Sequence, residues 1–186
     1  MINTEEIKCI IEQLRQDDKE ALKIYKDTSK KIPFVTSIFI NYILDDIEFV
    51  KTIQPVIENS RYIYSILRVT VEQVIIYKFL MRKNVNNESL CEDYLGVNIN
   101  LENIEEQSDD ELELLKLLTG KRTQLYKNIF KQMADKFENI DDETSLYRLY
   151  SMMADYVHNA YYKSILSEAN EENFNCQIID TIVLTL

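Results

Sequence analysis

Two glycines and two prolines are all that this chain of 186 residues contains. Average usage would supply roughly a dozen of the first and about nine of the second. Sandwiches and barrels spend such residues on their many turns, and phosphate-cradling loops need glycine where the backbone meets the ligand. The scarcity therefore argues against all of them and for an all-α fold. The expected architecture is a single helical domain over 1–186, an up-and-down type bundle of about five to seven helices. Apolar residues make up 46% of the chain and charged ones 28%, enough for a core and a solvated exterior, so global disorder is excluded.

The formal net charge is −11. A field of that sign repels phosphates, which argues against nonspecific nucleic-acid binding over the whole surface and leaves room only for a local basic patch. Cys9, Cys91 and Cys176 form no C-x-x-C pair, and the chain has one His. A structural zinc site or a disulfide framework does not fit that inventory, and the expectation is no metal and no cofactor. The opening M-I-N-T-E-E-I has neither a basic n-region nor an apolar h-region, and no apolar run is long enough to span a bilayer. A cytoplasmic protein with no membrane partner is expected.

Along the chain, Asn3 and Glu6 have capping-box spacing, and the apolar period predicts a first helix from about 4 to about 31. Pro33 suits the first turn of a second helix, apolar over most of its circumference and so expected at the centre. Pro55 opens a third, whose run from Tyr62 to Met81 is rich in β-branched residues but far too long for a strand. Residues 84–108 suggest a long connector carrying one or two short helices. Ser108 and Glu111 form a second capping box, and Gly120 is placed to stop or kink the helix that follows it. A further helix reaches about Asn139, Asp141 or Asp142 caps the next, and a short helix closes the chain at about 172–185.

The third helix carries a polar row in an apolar setting. Arg61, Ser65, Arg68 and Glu72 are spaced 4, 3 and 4, which at about 100° per residue keeps them within about 40° of one line. Tyr64, Val71 and Ile75 border the row on one side, Val69 and Ile76 on the other. Arg before Glu is the weaker order for a surface pair, so exposure explains the row poorly. A structural ion pair is one reading; an anion-binding or catalytic Arg with a carboxylate partner is the sharper one.

On the penultimate helix Tyr147, Ser151, Ala154 and His158 fall on a second line, with Tyr150 nearby. The only His of the chain would there be able to exchange a proton near neutral pH. Arg68 to Glu72, R-V-T-V-E, followed some eighty residues later by Tyr150 to Asn159, Y-S-M-M-A-D-Y-V-H-N, resembles a bacterial all-helical domain family of unknown function. That family carries Arg-x-x-x-Glu on one helix and Tyr-x-x-x-Ser-x-x-x-His on a later one. Tyr150 and His158 match, while Ala154 stands where the family usually has Ser. The family is distantly similar to HEPN domains, many of them metal-independent ribonucleases of toxin and phage-defence systems. The HEPN pattern places Arg four to six residues before His, whereas Arg148 and His158 here have nine residues between them. The resemblance implies a composite site in which His158 is general acid/base and Arg68 stabilises phosphate charge.

Lys121, Arg122, Lys127, Lys131 and Lys136, against Asp135, form a local basic segment with Tyr126 and Phe130 interleaved. Lys127 and Lys131 share a face and are the candidate RNA contacts within 121–136. The leading expectation is a helical interaction or small-ligand binding module. Its partner is a protein or a small ligand of unknown identity, bound at a polar pocket made from Arg61, Ser65, Arg68, Glu72, Tyr147, Tyr150, Ser151 and His158. A HEPN-like ribonuclease, often a homodimer, is the alternative. An acidic mimic of nucleic acid ranks below both, because the carboxylates are mixed with Lys instead of arrayed on one face.

Overall fold

The computed structural model describes residues 4–53, 57–99, 110–119, 126–157 and 171–185. Among them there is no strand, and the fold is an all-helical bundle. The helices are α1 (Thr4–Thr28), α2 (Lys31–Thr52), α3 (Ile57–Leu80), α4 (Asn87–Ile99), α5 (Asp110–Thr119), α6 (Tyr126–Ala134), α7 (Leu146–Val157) and α8 (Glu171–Thr185). The described residues thus hold eight helices, against about five to seven expected from the apolar pattern.

The first helix ends three residues earlier than its periodicity suggests. Ser29 turns to a left-handed φ of 56°, a region that a side chain enters at a cost, and its N–H closes the last turn onto Tyr25 O at 2.7 Å. Pro33 does lie in the first turn of α2, as expected. The N-cap residue Lys30 makes no side-chain cap bond. The cap comes instead from α4, where the Glu88 carboxylate accepts from Lys31 N at 2.5 Å and Ile32 N at 3.1 Å.

The centre of the bundle is α3, not α2. It packs against α2, α4, α6, α7 and α8, whereas α2 packs against α1, α3 and α4. The β-branched run is helical, as its length required, and Ile63, Leu67, Val71, Val74, Ile75, Phe79 and Leu80 are essentially free of solvent. Each such side chain contributes about 1.5–3 kcal/mol of burial. The second helix looked central because it is apolar nearly all round, yet it leaves Tyr42 and Phe49 more than half exposed.

The segment at 84–108 is less of a connector than its Asn-rich sequence suggests. Residues 87–99 form α4, which buries Leu90, Cys91 and Leu95 and bridges α2 to α5. Residues 100–108, Pro55 and Gly120 lie outside the described residues. The sixth helix stops at Ala134, short of Asn139, and turns lead to α7. The cap of α7 is Ser145, whose Oγ accepts from Arg148 N at 3.2 Å, and not Asp141 or Asp142. Glu138 adds both its oxygens, accepting from Leu146 N and Tyr147 N at 3.0 Å each. Asp142 is spent on its own turn, holding Thr144 N at 2.9 Å and the Thr144 hydroxyl at 2.8 Å. The closing helix forms as expected and buries Ile178, Ile179, Ile182 and Val183.

Candidate functional site

The polar row on α3 runs from water into the core. Arg61 at its outer end is exposed, Ser65 is half-buried, Arg68 keeps 28% of its side chain exposed and Glu72 only 11%. Helical spacing aligns the four residues; the depth of each depends on which helices lie over that turn. Tyr64, Val71, Ile75 and Ile76, four of the apolar borders, are buried, whereas Val69 is 39% exposed. The row is therefore walled on both sides near Glu72 and open on the Val69 side.

The bonding of the row is sparse. Ser65 donates its hydroxyl to Arg61 O at 2.7 Å, a local bond within the helix. Arg68 Nη1 and Glu72 Oε1 are 3.6 Å apart, close enough to attract and too far for a good hydrogen bond. Arg68 Nε is buried without a hydrogen-bond partner among the described residues. A guanidinium carries five donors and a carboxylate has several acceptor sites, so among the described residues each group makes fewer bonds than its chemistry allows. Burial pushes the Glu72 carboxyl up to about 7, with the nearby Arg68 charge pulling the other way. At neutral pH Glu72 is thus a group that both holds and releases a proton.

On the partner helix, Tyr150 is buried, with its ring 5.2 Å from Phe130 and 6.1 Å from Tyr147. Tyr147 and Ser151 are half-buried. Direct packing of α7 on α3 brings the two helices together. His158, next in the chain after α7, lies outside the described residues, so the composite site is described only as far as Val157. Lys131 on α6 is exposed; the Lys127 side chain, and Lys121 and Arg122, lie outside the described residues. No group of three or more His, Cys, Asp or Glu that could hold a metal occurs among the described residues, and no helix there is long and apolar enough to cross a membrane.

Sequence reasoning missed two other sets of withdrawn polar groups. Between α1 and α2, the Asp18 carboxylate accepts from the Ser37 hydroxyl and from Asn41 Nδ2 at 2.8 Å, while Asn41 Nδ2 also reaches Ser37 O at 2.9 Å. Between α2 and α3, Thr70 donates to Asp46 Oδ2 at 3.0 Å. Burial raises the Asp46 carboxyl above its ordinary range, the Thr70 bond opposes that, and Asp45 adds to it. The spacing of Ser37 and Asn41, one turn apart on an apolar helix, was the available signal for the first; Asp46 and Thr70 share no local pattern. Comparison of the chain with known protein families, curated proteins and solved structures finds no match.

Proposed function

We propose that this chain is a cytoplasmic helical binding module that holds a small ligand, or a polar segment of a partner protein, between α3 and the end of α7. Arg68 and Glu72 of α3 make the polar contacts, and Tyr147, Tyr150 and Ser151 of α7, with His158 after it in the chain, are the candidates to contribute the rest. The observation that carries this reading is the state of the Arg68–Glu72 pair. Both groups are largely withdrawn from water, they sit 3.6 Å apart, and one guanidinium nitrogen bonds nothing among the described residues. Buried polar groups in folded proteins are nearly always satisfied, and one that is not calls for an explanation, of which a bound group is one.

Native mass spectrometry of the purified full chain tests the reading. A bound small molecule or protein in wild type, lost in Arg68→Gln with the helical content intact, supports it; an empty chain in both overturns it.

The packing of α7 directly on α3 favours a second reading, a metal-independent ribonuclease of the HEPN type in which Arg68 stabilises phosphate charge and His158 moves the proton. Cleavage of single-stranded RNA by wild type and not by His158→Ala would put this reading first. Equal cleavage by both would point to a contaminant.

A further inference from the structure

The row on α3 has an order to its charges. An exposed cation, Arg61, stands at the outer end; a half-buried one, Arg68, follows two turns inward; a buried acid, Glu72, closes the inner end. The two cations are about 10 Å apart along the axis, given the helical rise. An anion approaching along the row would meet positive charge first and again at Arg68.

At the inner end the needs of the two groups are complementary to one class of ligand. A guanidinium stays cationic at any pH the fold survives and requires acceptors for its donors. Among the described residues Glu72 is the only acid paired with Arg68, its oxygen is 3.6 Å away, and it accepts no hydrogen bond. A ligand oxygen that accepts from Arg68 and shares a proton with Glu72 would satisfy both.

We infer that Arg68 and Glu72 together receive an oxyanion, a phosphate or carboxylate group, which accepts hydrogen bonds from the Arg68 guanidinium and one from the Glu72 carboxyl. The inference rests on the binding-module reading above and names the chemistry of its ligand. The proton held by the buried Glu72 near neutral pH makes that carboxyl a donor and not a rival anion. The planar guanidinium matches two oxygens of one phosphate or carboxylate, which an ammonium cannot do. Arg61 guides entry and is not a contact of the bound anion.

Isothermal titration of inorganic phosphate and of acetate into the full chain, at constant chloride, provides the test. Wild type is expected to bind at least one of them, and the tighter of the two identifies which oxyanion the row prefers. Arg68→Gln is expected to lose about tenfold or more in affinity, the loss of a charge-assisted bond. Arg68→Lys retains the charge without the fork, weakens binding by less, and serves as the comparison if Arg68→Gln fails to fold. Glu72→Gln is the discriminating variant: its amide N–H donates where the carboxyl O–H did, so affinity is expected to hold within about threefold. The inference is overturned if neither anion binds wild type, if the Arg68 variants bind as well as wild type, or if Glu72→Gln loses as much as Arg68→Gln. A neutral or cationic ligand found by native mass spectrometry, with no binding of either anion, would overturn the oxyanion and leave the binding module standing. An empty chain in both experiments would remove the two together.

Discussion

The seam between α1 and α2 and the inner end of the α3 row both withdraw charge from water, and they treat it in opposite ways. At the seam, Asp18 accepts from Ser37 and Asn41, and Asn41 reaches the Ser37 carbonyl as well, so the cluster closes on itself. On α3, Arg68 and Glu72 stop 3.6 Å short of each other and Arg68 Nε bonds nothing among the described residues. The closed cluster holds two helices together and has little left to offer a ligand. The open pair makes few bonds among the described residues, which is the basis for proposing that it receives a ligand. Counting bonds per buried polar group therefore separates the two regions more sharply than burial alone.

The contrast makes predictions about stability, from the largest effect to the smallest. Asp18→Ala leaves the Ser37 hydroxyl and the Asn41 amide without their charged acceptor and is expected to cost about 3 kcal/mol, read from the shift of a urea unfolding curve. On the α3 row the corresponding sensitivity is to pH. The unfolded chain gives up the Glu72 proton near its ordinary value of 4.5, whereas the folded chain holds it to about 7. Between those values the folded state binds more protons, so this group's contribution is fully present below 4.5 and is lost as pH rises to about 7. A loss on the order of 2 kcal/mol across that window, absent in Glu72→Gln, is the expected outcome of unfolding curves taken at several pH values.

A third measurement sets the two regions against each other directly. Replacing the open pair with Arg68→Met and Glu72→Leu together is expected to leave stability unchanged or to raise it by about 1 kcal/mol. The equivalent apolar replacement at the seam, Asp18→Leu with Asn41→Leu, is expected to lower it because the Ser37 hydroxyl is then left behind. Equal losses in the two double variants would erase the distinction. The smallest loss belongs to Ser145→Ala at the start of α7, about 0.5–1 kcal/mol by thermal denaturation, since the Glu138 carboxylate still holds two N–H groups of the first turn.

Much of this bundle is legible in the order of its residues. The run from Tyr62 to Met81 could only be a helix given its length, and Arg61, Ser65, Arg68 and Glu72 had to share a line. Depth was not legible. Arg61 and Glu72 lie on that same line, yet one is in water and the other almost dry, because cover comes from helices far away in the chain. The fourth helix lies where the sequence suggests a short helix within the connector, but its depth was not legible either. Asn87, Glu88, Ser89, Glu92, Asp93 and Gly96 dilute its apolar pattern, while Leu90, Cys91 and Leu95 go deep into the interior. Apolar circumference does not fix the centre of a bundle, since Tyr42 and Phe49 on α2 are apolar and yet stand exposed.

The carboxylate of Glu88 has a consequence for the order in which the molecule is assembled. It closes the first turn of α2 from a position 57 residues further along the chain than Lys31. A ribosome releases that turn well before it has made the acid that completes it. In the nascent α1–α2 pair the Lys31 and Ile32 N–H groups are therefore left to water until α4 docks.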